Sequence, residues 1–129
     1  IRLAEEISKR AQALGKVQDV LAEINIGGEQ SKFGVPPEEA EEFIGAVSGL
    51  SGIRVRGLMA VLPIVENPEE ARPYFRKMRQ LLVDINSKKI DNVCMNILSM
   101  GMTEDYEVAI EEGATIVRIG TGIFGNRST

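Results

Sequence analysis

The chain has 129 residues, 43% of them hydrophobic and 26% charged, with a net charge of −4. That length suits one domain with a modest core; the acidic balance argues against a general nucleic-acid surface, and no apolar run approaches the roughly 20 residues of a membrane span. Histidine is absent, which removes the usual general base, the Ser-His-Asp triad and most zinc sites.

The first residues follow a helical pattern, with Leu3, Ile7, Ala11 and Leu14 on one face and Gly15 as a stop. No capping residue precedes Ile1, so further chain upstream is expected. Residues 17–26 read as a strand that runs into a glycine-containing loop. Pro36, Pro37, Glu38 and Glu39 suit a helix start, and Ala40, Phe43, Ile44 and Val47 form that helix's inner face. Residues 53–62 are the next strand, an apolar run broken by Arg54, Arg56 and Gly57. Asn67, Pro68 and Glu70 predict a capped third helix with Ala71, Phe75, Met78, Leu82 and Ile85 inward. Residues 93–98 are a third strand. Cys94 lies in this apolar stretch, which predicts a buried, reduced thiol and a cytoplasmic protein. Thr103 is the expected cap of a short helix, and residues 115–119 form the last strand.

Helices alternating with apolar strands indicate an α/β fold with a parallel sheet. About four parallel strands with helices amount to the C-terminal half of a (β/α)8 TIM-type barrel, which takes about 250 residues when complete. Residues 1–129 are read as a single partial barrel domain. A flavodoxin-like open sheet is the structural alternative. In both architectures ligands bind at the carboxyl ends of the strands. Four segments lie there: Asn25 with Gly27 and Gly28, Met59 to Pro63, Ser99 to Met102, and Gly120 to Gly122; Asn25, Met59, Ser99, Gly120 and Thr121 are the site candidates among them. Glycine lets backbone N–H groups approach an anion closely. Arg118 stands among apolar neighbours and needs a specific partner. A phosphate held by the turns and a polar ring atom met by Arg118 would satisfy both; a core carboxylate such as Glu23 is the structural alternative for Arg118. Asn25 and Met59 are candidates that also suit strand-end and core roles. Met100 and Met102 suit either a ring contact or filling of the barrel mouth.

The segments Asn25-Ile26-Gly27-Gly28-Glu29, Ser31-Lys32-Phe33-Gly34, Gly57-Leu58-Met59-Ala60, Leu98-Ser99-Met100-Gly101-Met102 and Val117-Arg118-Ile119-Gly120-Thr121 resemble the pyridoxal-phosphate homeostasis protein family. That family is similar to the barrel domain of alanine racemase. The resemblance implies pyridoxal 5'-phosphate (PLP) as cofactor, with Ser99, Gly120 and Thr121 on its phosphate and Arg118 facing the pyridine nitrogen. It implies PLP carriage and homeostasis with no assigned reaction and no catalytic residue. Arginine does not give up its proton, so it leaves the ring nitrogen unprotonated and the ring a weaker electron sink. Transaminase-like chemistry is disfavoured; racemisation or simple carriage fits better.

The resemblance covers only the C-terminal half. The family's Schiff-base lysine lies near the N-terminus, and Lys9, Lys16, Lys32, Lys77, Lys88 and Lys89 do not match it. The chain by itself is therefore expected to lack covalent PLP binding and to hold at most phosphate or sulfate. The partners implied are PLP, a missing N-terminal half-barrel or a second copy of this chain, and PLP-dependent apoenzymes. Neither nucleic acid nor membrane is among them. A fragment of an alanine-racemase-like enzyme is one alternative; it needs a second base such as a tyrosine, and Tyr74 and Tyr106 both fall on predicted helices. A half-barrel that serves assembly or interaction through its open strand edges is the other.

Overall fold

The computed structural model describes residues 1–28, 33–63 and 65–125. Its elements are α1 (Arg2–Ala13), β1 (Gln18–Glu23), α2 (Ala40–Val47), β2 (Ile53–Met59), α3 (Arg72–Ser87), β3 (Ile97–Ser99), α4 (Tyr106–Glu111) and the single turn α5 (Thr121–Phe124). Pro37 and Pro68 open 3-10 turns that lead into α2 and α3, at positions where a missing N–H costs nothing. Asn67 caps the second of these turns: its side-chain oxygen accepts from the Glu69 N–H at 2.9 Å, an arrangement worth about 1 kcal/mol.

The strands are parallel and lie in the order β1-β2-β3. This sequential order lacks the reversal of a flavodoxin-like sheet and is that of a barrel segment. The expected fourth strand is reduced to one parallel bridge between Ser99 and Ile116. The cause is one side-chain contact. Thr115 offers its hydroxyl to the Leu98 N–H at 2.8 Å, so a side chain takes a bond that a regular ladder would give to the backbone. The third strand also begins later than its apolar run suggests. Met95 is tied to the end of α3, donating to Asn86 Oδ1 at 2.9 Å and accepting from Asn86 Nδ2 at 2.7 Å. Cys94 lies in this pinned loop and is exposed, so the expectation of a buried thiol is corrected.

A register shift between Val20 and Leu21 sets the geometry of the strand ends. Val20 opposes Val55, whereas Leu21 opposes Gly57. Arg56 is the extra residue of a bulge. Beyond it Leu58 is fully buried, while Met59 falls in register with Glu23 on one side and Ser99 on the other. Successive residues of a strand face opposite sides. The helix-covered side therefore holds Val55, Leu58 and Leu98, and the other side holds the row Glu23, Met59, Ser99.

The core lies between the sheet and α2 and α3. Phe75, Met78, Ile85, Ile44, Ile53, Val55, Leu58 and Leu98 are all buried, each large apolar side chain contributing about 1.5–3 kcal/mol. Leu3 and Leu14 of the first helical pattern remain exposed, and α1 is anchored instead by Ala11 and Ser8. Among the described residues no helix is long and apolar enough to cross a membrane.

Candidate functional site

The carboxyl ends of the strands form a connected row. The Ile24 N–H donates to Met59 O at 2.8 Å, the Ala60 N–H to Ser99 O at 3.0 Å, and the Met100 N–H to Ile116 O at 3.1 Å. Asn25, Met59, Ser99 and the segment carrying Arg118 are thus fixed side by side through backbone bonds. Ser99 is buried; Asn25, Met59 and Arg118 are half-buried.

Arg118 is held at two points. Its backbone N–H donates to Gly101 O at 2.9 Å, and its guanidinium Nη2 donates to Ala60 O at 2.7 Å. Ala60 belongs to the strand-end segment 59–63, yet the sequence does not single it out as a site residue, because its contribution is a carbonyl group that any residue carries. The other guanidinium N–H groups have no protein acceptor among the described residues. Glu23, the carboxylate alternative, is not the partner. Gly101 has a positive φ of 105°, and a Cβ there would meet Ala109 Cβ at 2.6 Å, so the bend that delivers its carbonyl to Arg118 requires glycine.

A cavity of about 600 Å³ opens beyond β2 and β3, within the range of small-molecule sites, roughly 300–1,000 Å³. Ala60, Phe75, Gly101, Met102, Thr103, Gly120 and Thr121 are among its walls. Of the predicted site residues it brings together Gly120 and Thr121. Asn25, Met59, Ser99 and Arg118 do not line it; Met59 precedes the wall residue Ala60, Ser99 O accepts the Ala60 N–H and Arg118 donates to the Ala60 carbonyl. Met102 faces the cavity, whereas Met100 is fully buried in the core.

The turn at Gly120 has the features of an anion cradle. The Phe124 N–H donates to Gly120 O at 2.8 Å and the Gly125 N–H to Thr121 O at 2.9 Å. The N–H groups of Gly120 and Thr121 have no protein acceptor among the described residues, and nothing lies within 4 Å of where a Cβ on Gly120 would stand. Thr103 is not the helix cap expected from its position; Asp105 precedes α4. Its hydroxyl instead accepts the Gly122 N–H at 3.1 Å.

Behind the cavity, α3 and α4 are clamped by Arg72. It meets Glu69 at 2.8 Å, Glu111 at 2.6 Å and Glu112 at 2.6 Å, and Arg76 reaches Glu112 at 3.2 Å. The hydrogen bonds from Arg72 hold the Glu69 and Glu112 carboxyls below the usual carboxylate range and push the Arg72 guanidinium further up. The described lysines stand elsewhere: Lys9 and Lys77 on α1 and α3, Lys88 and Lys89 just past α3, Lys16 before β1. Lys32 lies outside the described residues.

The alanine racemase, N-terminal domain family matches residues 1–128. The chain belongs to this family. It is 54% identical over 125 residues to the pyridoxal phosphate homeostasis protein of Aquifex aeolicus, covering 97% of this chain and 54% of that protein. The fold is similar to that of an unknown protein from Bifidobacterium adolescentis (TM-score 0.86, 41% identity, 95% of this chain and 49% of the other). It is similar also to PipY of Synechococcus elongatus solved with PLP bound (TM-score 0.82, 27% identity, 96% of this chain and 57% of the other). The chain therefore spans about half the length of the relatives it matches, as a half-barrel of the alanine racemase N-terminal domain family would.

Proposed function

We propose that this chain is the phosphate- and pyridine-contacting half of a PLP-binding barrel whose role is PLP carriage and buffering. The observation that carries the reading is the turn at Gly120, open on one side, with two N–H groups lacking acceptors among the described residues, next to a guanidinium already anchored on Ala60. Relatives named for PLP homeostasis and a structural neighbour holding PLP support it.

Bound PLP supplies an aldehyde and an electron-accepting ring. The chain's own part is binding and orientation. Gly120 and Thr121 N–H groups and the Ser99 hydroxyl would receive phosphate oxygens, and Arg118 would donate to the ring nitrogen, with Asn25 and Met59 bordering the ring. Because arginine keeps its proton, that nitrogen would stay an acceptor, which suits a carrier better than an enzyme that needs a strong electron sink. No lysine lines the cavity among the described residues, so covalent attachment is assigned to the remaining half of the barrel. A racemase would need a second base, and Tyr74 and Tyr106 stand on α3 and α4.

The partner reading follows from the same geometry. The edge of β1 away from β2, which Val35 pairs at its carboxyl end through Glu23 and Asn25, and the sheet face carrying Asp19, Arg54 and Arg56, would be completed by an N-terminal half-barrel or by a second copy. Residues 1–129 then form one partial barrel domain, and the completed barrel exchanges PLP with apoenzymes in the cytoplasm.

The test is titration of the full-length protein with PLP and with pyridoxal, followed by competition for PLP with a PLP-dependent apoenzyme. Tighter binding of PLP than of pyridoxal, and a shifted partition, are expected. A full-length protein that binds no PLP and leaves the partition unchanged would overturn the reading.

A further inference from the structure

We infer that Thr103 is a positioning residue that holds the Gly120–Thr121 turn in its phosphate-receiving form; this rests on the PLP reading above. Its hydroxyl reaches across 19 residues of sequence to accept the Gly122 N–H at 3.1 Å. A Cβ at Gly122 would meet Thr103 Cγ2 at 3.0 Å and Ile119 Cγ2 at 2.8 Å. Threonine and glycine are therefore packed together as well as hydrogen-bonded, and no larger residue fits at position 122 unless a neighbour yields.

The chemistry explains why this bond matters for the neighbours. The Gly120, Thr121 and Gly122 N–H groups follow one another in the turn. Thr103 engages the third, and the first two have no acceptor among the described residues, so they remain available to an anion. Without an acceptor for Gly122 the turn keeps its own bonds to Gly120 O and Thr121 O but loses its tie to the loop after β3, and the direction of the two preceding N–H groups is held less firmly. Pre-organised donors bind anions more tightly than mobile ones, because ordering cost falls outside the binding step.

The loop that presents Thr103 is itself braced. The Met102 N–H donates to Asp105 Oδ1 at 2.8 Å and the Asp105 N–H to Met102 O at 3.1 Å. The same loop delivers Gly101 O to the Arg118 backbone at 2.9 Å. One short segment after β3 thus ties down both the Arg118 backbone and the turn. Both Thr103 and Thr121 line the cavity.

The experiment uses the full-length protein as wild type, Thr103→Val and Thr103→Ser. Dissociation constants are measured for PLP and for pyridoxal, and hydrogen exchange is followed at the Gly122 amide. The inference predicts that Thr103→Val weakens PLP roughly tenfold, the scale of one hydrogen bond, and leaves pyridoxal within about twofold of wild type. It predicts faster exchange at Gly122 in that variant and recovery of both readouts in Thr103→Ser. Equal weakening of both ligands would mark a general structural effect and overturn the inference, as would unchanged exchange at Gly122 or unchanged PLP affinity in Thr103→Val. A wild-type protein that binds no PLP would overturn the functional reading, and the inference with it.

Discussion

Arg118 Nη2 donates to the carbonyl oxygen of Ala60 at 2.7 Å, joining the segment after the Ser99 bridge to the end of β2 across 58 residues of sequence. The remaining guanidinium N–H groups have no acceptor among the described residues, and the anchor fixes where they point. Arg118→Lys removes the planar fork and supplies a mobile point charge in its place. The expected outcome is a loss of PLP affinity of tenfold or more in the full-length protein, from a charged hydrogen bond worth about 1.5–3 kcal/mol. Absorbance titration checks it; affinity equal to wild type would remove Arg118 from the site.

Ser8 is buried and accepts the Gly52 N–H at 2.9 Å, tying α1 to the start of β2. Ser8→Ala leaves that buried donor unsatisfied and is expected to lower unfolding stability by about 1–3 kcal/mol. Urea denaturation reads the change. The ligand face lies at the other end of the strands, so PLP affinity should not move.

Gly57 occupies the strand position beside the Arg56 bulge, where a Cβ would stand 1.9 Å from Ile97 O. Gly57→Ala cannot be accommodated without separating β2 from β3, and a loss of about 3 kcal/mol or more is expected. Because Met59 and Ser99 are aligned by this pairing, ligand affinity should fall together with stability.

The Arg72 clamp gives a pH dependence with a definite sign. Glu69 and Glu112 have carboxyls lowered from 4.5 by hydrogen bonds to Arg72. A carboxylate with a depressed folded-state pKa adds stability above its unfolded value, and that contribution is lost as pH falls through the folded value. Wild type should therefore have a higher Tm than Arg72→Met at about pH 7, with the gap closing below about pH 4. A Tm difference independent of pH would contradict this account of the clamp.

Much of this architecture was legible because its signals are local. Pro37, Pro68 and Asn67 mark helix starts wherever they occur, and Phe75, Met78, Leu82 and Ile85 repeat at helical spacing. The errors fall where a distant residue decides. Cys94 looked buried from its apolar neighbours, yet Asn86 pins the adjacent Met95 backbone and keeps that stretch out of the sheet. Residues 115–119 looked like a strand, yet the Thr115 hydroxyl replaces a ladder bond. Thr103 looked like a cap because its spacing before an acidic turn fits one, and only the folded chain reveals Gly122 as its partner. The candidate site divides in the same way: turn chemistry singles out Gly120 and Thr121, which the fold places on the cavity wall, whereas the Ala60 carbonyl carries no side-chain signature.

The measurement that tests the central claim most directly is a crystal structure of the full-length protein with PLP bound. The account predicts phosphate oxygens within about 3 Å of the Gly120 and Thr121 N–H groups and the Ser99 hydroxyl, with Arg118 donating to the ring nitrogen. PLP seated elsewhere, such as the cleft beside Arg54, Arg56 and Asn96 at the opposite end of the strands, would contradict it.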